Sequence, residues 1–252
     1  MQTAIDLNSI DLSNIKVKDL VIADFHIAAA LEKFGIDYCC KGNQVLKDVL
    51  HAKNISKSVL MDEINTLNRS SSNAESQSYE NLELNDLAQH IIDTHHSYVK
   101  KAIPQISEHL AKVVAKHSGK HAYLVTINDA FVSVSNELIS HMMKEERILF
   151  PLIKYLSECK KFEEKPKATG YGSIKNPIRQ MEADHIAAGD YMGKIRKISS
   201  NYSLPDDACT TFKLTFSELQ EFEKDLFKHV HLENNILFPK SIVLEEELNK
   251  KY

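Results

Sequence analysis

Four histidines, His96, His141, His185 and His229, recur at intervals of 45, 44 and 44 residues, and two of them head the same one-turn pair, His141–Glu145 and His229–Glu233. An interval of about 45 residues is one long helix plus its connection, so the spacing predicts four antiparallel helices with a histidine at one shared level. Residues four apart lie on one face of a helix, so each glutamate joins its histidine at that level.

The apolar register tests whether these side chains point inward. Ile92, His96, Val99, Ile103, Ile106, Leu110 and Val113 advance by alternating fours and threes, as do Ile127, Phe131, Val134, Leu138, His141, Glu145, Ile148 and Leu152. Ile178, Met181, His185, Ala188, Met192 and Ile195 repeat the pattern, and so do Leu219, Phe222, Leu226, His229, Glu233 and Ile236. Six polar side chains thus occupy core positions. Two buried carboxylates facing one another repel, and a bound cation between them is the economical remedy. Four imidazoles and two carboxylates exceed what one tetrahedral zinc requires, no HExxH pair is present, and mixed nitrogen and oxygen ligands without cysteine suit iron or manganese in a two-metal centre.

Other candidates carry competing readings. Glu182, three residues before His185, fits a rival Glu-x-x-His ligand spacing or is a solvated helix residue. Glu137 and Asp184 either line a polar approach to the metals or face water. Of the remaining histidines, His26, His51, His90, His95, His109, His117, His121 and His231, most are expected at the surface or its boundary, and His117 is expected to support a ligand.

Seven glycines, six prolines, no tryptophan and little strand-like alternation in 252 residues argue for an all-α chain. A net charge of −4 gives no footprint for nucleic acid or an anionic membrane. The opening MQTAIDLNSI lacks a basic leader and no stretch approaches the roughly 20 apolar residues of a spanning helix, so a cytoplasmic protein is expected. Residues 69–79, rich in serine, read as a flexible linker between a small helical unit, residues 1–68, and the bundle, residues 80–252. In the small unit, helices are expected over 17–34, 44–51 and 57–67. Pro239 is expected to close the last metal-bearing helix.

The small unit carries Asp37-Tyr38-Cys39-Cys40-Lys41-Gly42. Adjacent cysteines are too close for a relaxed disulfide, so Cys39 and Cys40 read as free thiols, either thiolate-prone beside Lys41 or packing residues. Cys159 and Cys209 stand alone and read as structural.

The cysteine pair, followed by Ser140-His141-Met142-Met143-Lys144-Glu145-Glu146 leading to Leu149-Phe150-Pro151, and by His229 to Asn235 with Leu237-Phe238-Pro239, resembles the RIC (repair of iron centres) family, also called YtfE/ScdA/DnrN. The resemblance spans nearly the whole chain and implies a hemerythrin-like bundle behind an N-terminal cysteine-pair domain. It implies an oxo- and carboxylate-bridged non-haem di-iron centre, ligated by His96, His141, His185 and His229 and bridged by Glu145 and Glu233. It further implies repair of iron–sulfur clusters damaged by nitric oxide or oxidants, with damaged iron–sulfur proteins as clients and Cys39 and Cys40 taking part as a thiol relay. Two other functions use the same centre: reduction of nitric oxide to nitrous oxide, and binding or sensing of oxygen or nitric oxide. An exposed cysteine pair is also compatible with a homodimer. Residues 95 and 96 are both histidine where the family pattern has tyrosine before the ligand, and register selects His96.

Overall fold

The computed structural model describes residues 14–70 and 79–251. The chain start and most of the serine-rich segment, 71–78, lie outside the described residues. Every regular element among the described residues is helical.

The small unit contains α1 Val17–Ala23, α2 Ile27–Lys33, α3 Leu46–Ala52 and α4 Lys57–Ser70. Residues 17–34, expected as one helix, are therefore two. The break falls at Asp24, which leaves the helical region and whose Oδ1 accepts the His26 N–H at 3.0 Å, replacing a helical bond with a side-chain turn. α2 ends on Gly35 at φ +61°, where Ile36 N–H bonds the Leu31 carbonyl and Gly35 N–H bonds that of Glu32. This closure needs a left-handed residue, which glycine supplies without a Cβ penalty.

The bundle consists of four rods. The first joins α5 Leu84–Ile91 to α6 Ser97–His117 through a π-helical turn, Ile92–His96. The second joins α7 Tyr123–Lys144 to α8 Phe150–Phe162 through Glu145–Leu149, and the third is α9 Lys175–Ile198. The fourth joins α10 Thr210–Leu232 to α11 Phe238–Lys251 through Glu233–Leu237. Pro239 thus does not end its helix. It sits in the first turn of α11, just past a π-helical turn in which Phe238 N–H reaches back to the Glu233 carbonyl. A proline ring clashes with the carbonyl four residues back in a regular helix, and a widened turn removes that conflict. Pro151 has the same place after Glu145–Leu149.

Two apolar cores flank the middle of the bundle. One contains Leu87, Ile91, Leu149, Ile153, Ile178, Met181, Leu237 and Phe238. The other contains Val99, Phe131, Leu138, Ala188, Met192, Phe222 and Leu226 and continues into Leu20, Leu31, Ile36 and Tyr38 of the small unit. The small unit is therefore packed onto the bundle. Tyr38 stands edge-on to Phe227 and His231, Phe25 tilts against His231, and the Tyr38 carbonyl accepts the Asn235 amide at 3.2 Å.

Candidate metal centre

Between the two cores lies a polar layer made of the six residues singled out by register. His96, His141, His185 and His229 are at most 1% exposed, and Glu145 and Glu233 are fully buried. Each glutamate straddles the layer. Glu145 Oε2 lies 3.3 Å from His96 Nε2 and Oε1 lies 3.2 Å from His141 Nε2. Glu233 Oε1 lies 3.0 Å from His229 Nε2, and Oε2 lies 3.1 Å from His185 Nε2. The result is two four-atom pockets, His96/His229 and His141/His185, each completed by one oxygen from both carboxylates, with all ligand atoms of a pocket within 4.8 Å of one another.

The donor set fits cations. Both Glu145 oxygens, Glu233 Oε2 and His96 Nε2 are buried without a hydrogen-bond partner, which is costly unless something positive takes their lone pairs. Mixed imidazole and carboxylate ligation in a dry bundle suits iron or manganese. Without a cation, protons take over part of that work. Burial pushes the His141 imidazolium down, but Glu145 and Asp184 outweigh it and raise its pKa to about 10. Burial and the neighbouring Glu233 both push Glu145 up, yet His141 and His96 hold it below the usual carboxylate range. Glu233 is likewise held well below that range, against burial, by His229 and His185.

The nitrogens facing away from the pockets are held by a second layer. His96 Nδ1 meets Glu146 Oε1 at 2.8 Å, and Lys100 reaches the same oxygen at 2.7 Å. His141 Nδ1 lies 3.4 Å from Asp184 Oδ2, which also accepts Lys144 at 2.8 Å. Bonding to His141 leads the causes that hold the Asp184 carboxyl far below its ordinary value. His185 Nδ1 donates to Asn234 Oδ1 at 2.9 Å. Such partners fix the tautomer and aim of a ligand ring. Of the two readings of Asp184, the structure thus places it against a pocket histidine, whereas Glu182 is exposed and Glu137 is half-buried with Oε2 unpartnered. Asn234 and Glu146 were missed by register, although each directly follows a pocket glutamate in sequence.

Three histidines depart from expectation. His95 and His231 are each 1% exposed rather than at the surface. His231 is enclosed by Phe25 and Tyr38 of the small unit, and burial lowers its pKa to about 4. His117 is buried, but its Nε2 meets Cys209 Sγ at 3.2 Å beside Phe212, among residues that supply nothing to either pocket.

The cysteine turn is held by Asp37, whose Oδ1 accepts the backbone N–H groups of Cys39, Cys40 and Lys41 at 3.0, 2.9 and 3.2 Å. All four cysteines are free. Cys39 is not thiolate-prone: burial, then its contacts with Cys40 and Asp37, push its thiol well above the ordinary value. Cys40 is half-buried, 3.8 Å from Cys39 Sγ, and its thiol points at the His185 carbonyl at 3.5 Å. Asp37, Cys39 and Cys40 bring their ligand atoms within 4.8 Å of one another. The sulfur pair therefore abuts the backbone of the His141/His185 pocket without any domain movement.

Comparison with known proteins agrees with this architecture. Residues 87–241 match the hemerythrin HHE cation binding domain, and residues 13–68 match the ScdA N-terminal family, described as a domain of unknown function. The iron-sulfur cluster repair protein YtfE of Enterobacter sp. (strain 638) is 31% identical over 228 residues, covering 90% of this chain and 96% of that protein. YtfE of Escherichia coli O81 (strain ED1a) is 31% identical and that of Escherichia fergusonii 30% identical, with the same coverage. The chain, with its HHE bundle and cysteine-bearing N-terminal unit, belongs to the RIC family, alongside these YtfE proteins.

Proposed function

We propose that this chain is a cytoplasmic di-iron protein that restores iron–sulfur clusters after nitrosative or oxidative damage by supplying iron. The observation that carries the reading is a pair of two-histidine pockets that share both carboxylates, next to a sulfur pair, in a chain related over nearly its full length to iron-sulfur cluster repair proteins. His96 and His229 would hold one iron and His141 and His185 the other, with Glu145 and Glu233 bridging both. Iron bound there supplies a redox-active ion whose bonds to imidazole and carboxylate are weaker for the reduced form, which suits release.

The chain's own residues set the terms of that release. Burial of all six side chains keeps water away from the centre. Asp184 and Glu146 orient His141 and His96, while Lys144 and Lys100 offset their charge. Cys40 lies on the His185 side and, with Cys39, offers softer sulfur ligands beside that pocket, next to the Asp37 carboxylate. Cys39 is buried and protonated, so it would take part only when a metal displaces its proton.

Anaerobically purified protein should contain about two irons per chain and give the spectrum of a coupled pair. It should also reactivate a nitric-oxide-damaged [4Fe–4S] enzyme while losing its own iron. Production of nitrous oxide without iron loss would favour the nitric oxide reductase reading instead.

A further inference from the structure

Three of the four pocket histidines have a protein partner for the nitrogen that faces away from the pocket. The fourth does not. Glu146, Asp184 and Asn234 serve His96, His141 and His185, whereas Nδ1 of His229 is buried and unpartnered. Beside it lies a group that neither pocket uses. The His95 ring stacks parallel on His229, with centroids 5.5 Å apart and planes 3° from parallel. Its Nδ1 is 2.8 Å from Asp225 Oδ1, and its Nε2 is buried without a partner. Asp225 Oδ2 is orphaned in the same way, and so is Nε2 of His90, whose ring stands edge-on to His95 at 6.0 Å.

Four buried, unpartnered polar atoms in one patch call for a ligand. A third cation is the poorer fit. Among the described residues, the sets of ligand atoms that close to within 4.8 Å are the two pockets and the Asp37/Cys39/Cys40 turn, and this patch is not one of them. Water bridges wider gaps and serves donors and acceptors alike. Nor is His95 explained as a packing ring, because a phenyl ring would stack on His229 without burying an unsatisfied nitrogen.

We propose that His95, held by Asp225, is a positioning residue for His229. Together with His90 it holds a buried water that completes the bonding of His229 Nδ1 and so fixes the ring toward its pocket. The inference rests on the reading that the pockets hold iron. It makes the two iron positions unequal, one having its second histidine supported by Asn234 and the other by water.

Iron-loaded full-length protein carrying His95→Phe or His95→Gln tests this. His95→Phe keeps the stacked ring and removes both nitrogens; His95→Gln restores a polar group. Expected for His95→Phe is a ~10–100-fold faster loss of one of the two irons to a competing chelator. Only one of two Mössbauer doublets should change, and His95→Gln should recover most of the difference. Wild-type release rates with both doublets unchanged in His95→Phe would overturn the proposal, as would equal damage from the two variants, which indicates packing alone. If His95→Phe fails to fold, Asp225→Leu should alter the same single doublet, and an unaltered doublet there overturns the proposal. Wild-type protein that binds no iron would instead defeat the di-iron reading and this inference with it.

Discussion

Replacing Glu145 by leucine should make the ion-free protein more stable while removing its capacity for paired iron. Glu145 is fully buried, and its charge faces that of Glu233 in a layer whose other members are imidazoles. Leucine has a similar volume and suits the apolar register. With the carboxylate gone, His141 loses the largest of the causes that raise its pKa and keeps Asp184 on its Nδ1, so any charge left on that ring still has a carboxylate partner. Exchange of buried ionic groups for packed apolar ones is commonly neutral to stabilising by about 1–4 kcal/mol, and the low end, about 1–2 kcal/mol, applies here because Glu233 stays buried. With a urea m-value of about 2–3 kcal/mol/M, the unfolding midpoint of chelator-treated protein should rise by about 0.5 M. Both pockets lose an oxygen ligand, so the same variant should lack the coupled iron pair. A midpoint lowered by a comparable amount, or two irons retained, would refute the reasoning.

Three further outcomes follow from the same geometry. Because the pKa of His141 is raised to about 10, it is protonated at pH 7 in the ion-free chain and must become neutral to bind a metal, so adding Fe(II) should release about one proton or more per chain and loading should weaken as pH falls; a pH-stat titration showing no release would contradict this. The double variant Cys39→Ser/Cys40→Ser should bind iron as wild type does yet lose cluster repair, and equal repair rates at equal iron content would remove the sulfur pair from the mechanism. Glu223 is 5% exposed and its carboxylate accepts Arg196 Nε at 3.0 and 2.9 Å, so Glu223→Ala should cost about 1.5–2 kcal/mol of stability in equilibrium unfolding, less than for a fully buried pair because the half-buried guanidinium can take up water.

The level and inward aim of the six pocket residues were legible because helix period and interval are both properties of the one-dimensional chain. What surrounds them was not. His95 and His96 are adjacent, and a regular helix would turn them well apart, so register assigned only one to the interior. The π-helical turn Ile92–His96, together with the packing of the fourth rod, buries both. A signal for two of these turns was present: Pro151 and Pro239 each follow a pocket glutamate by six residues, and the apolar pattern continues beyond them. A proline inside a pattern that resumes does not end a helix, as Pro104 within α6 also shows. Burial of His231 and Cys39 depends on how the small unit docks, a contact between segments nearly 200 residues apart that no local pattern encodes.

Three of the four rods widen at the level of the centre, so the stretches 92–96, 145–149 and 233–237 form a belt of π-helical turns around the bundle's waist. Helices ordinarily loosen from their tips. Here a stripped chain would begin to breathe at mid-length, where two crowded carboxylates sit on those turns, while a loaded one would be held there by side chains from all four rods. Amide exchange along the belt would then report cargo: fast when the protein has given up its iron, slow when it has not.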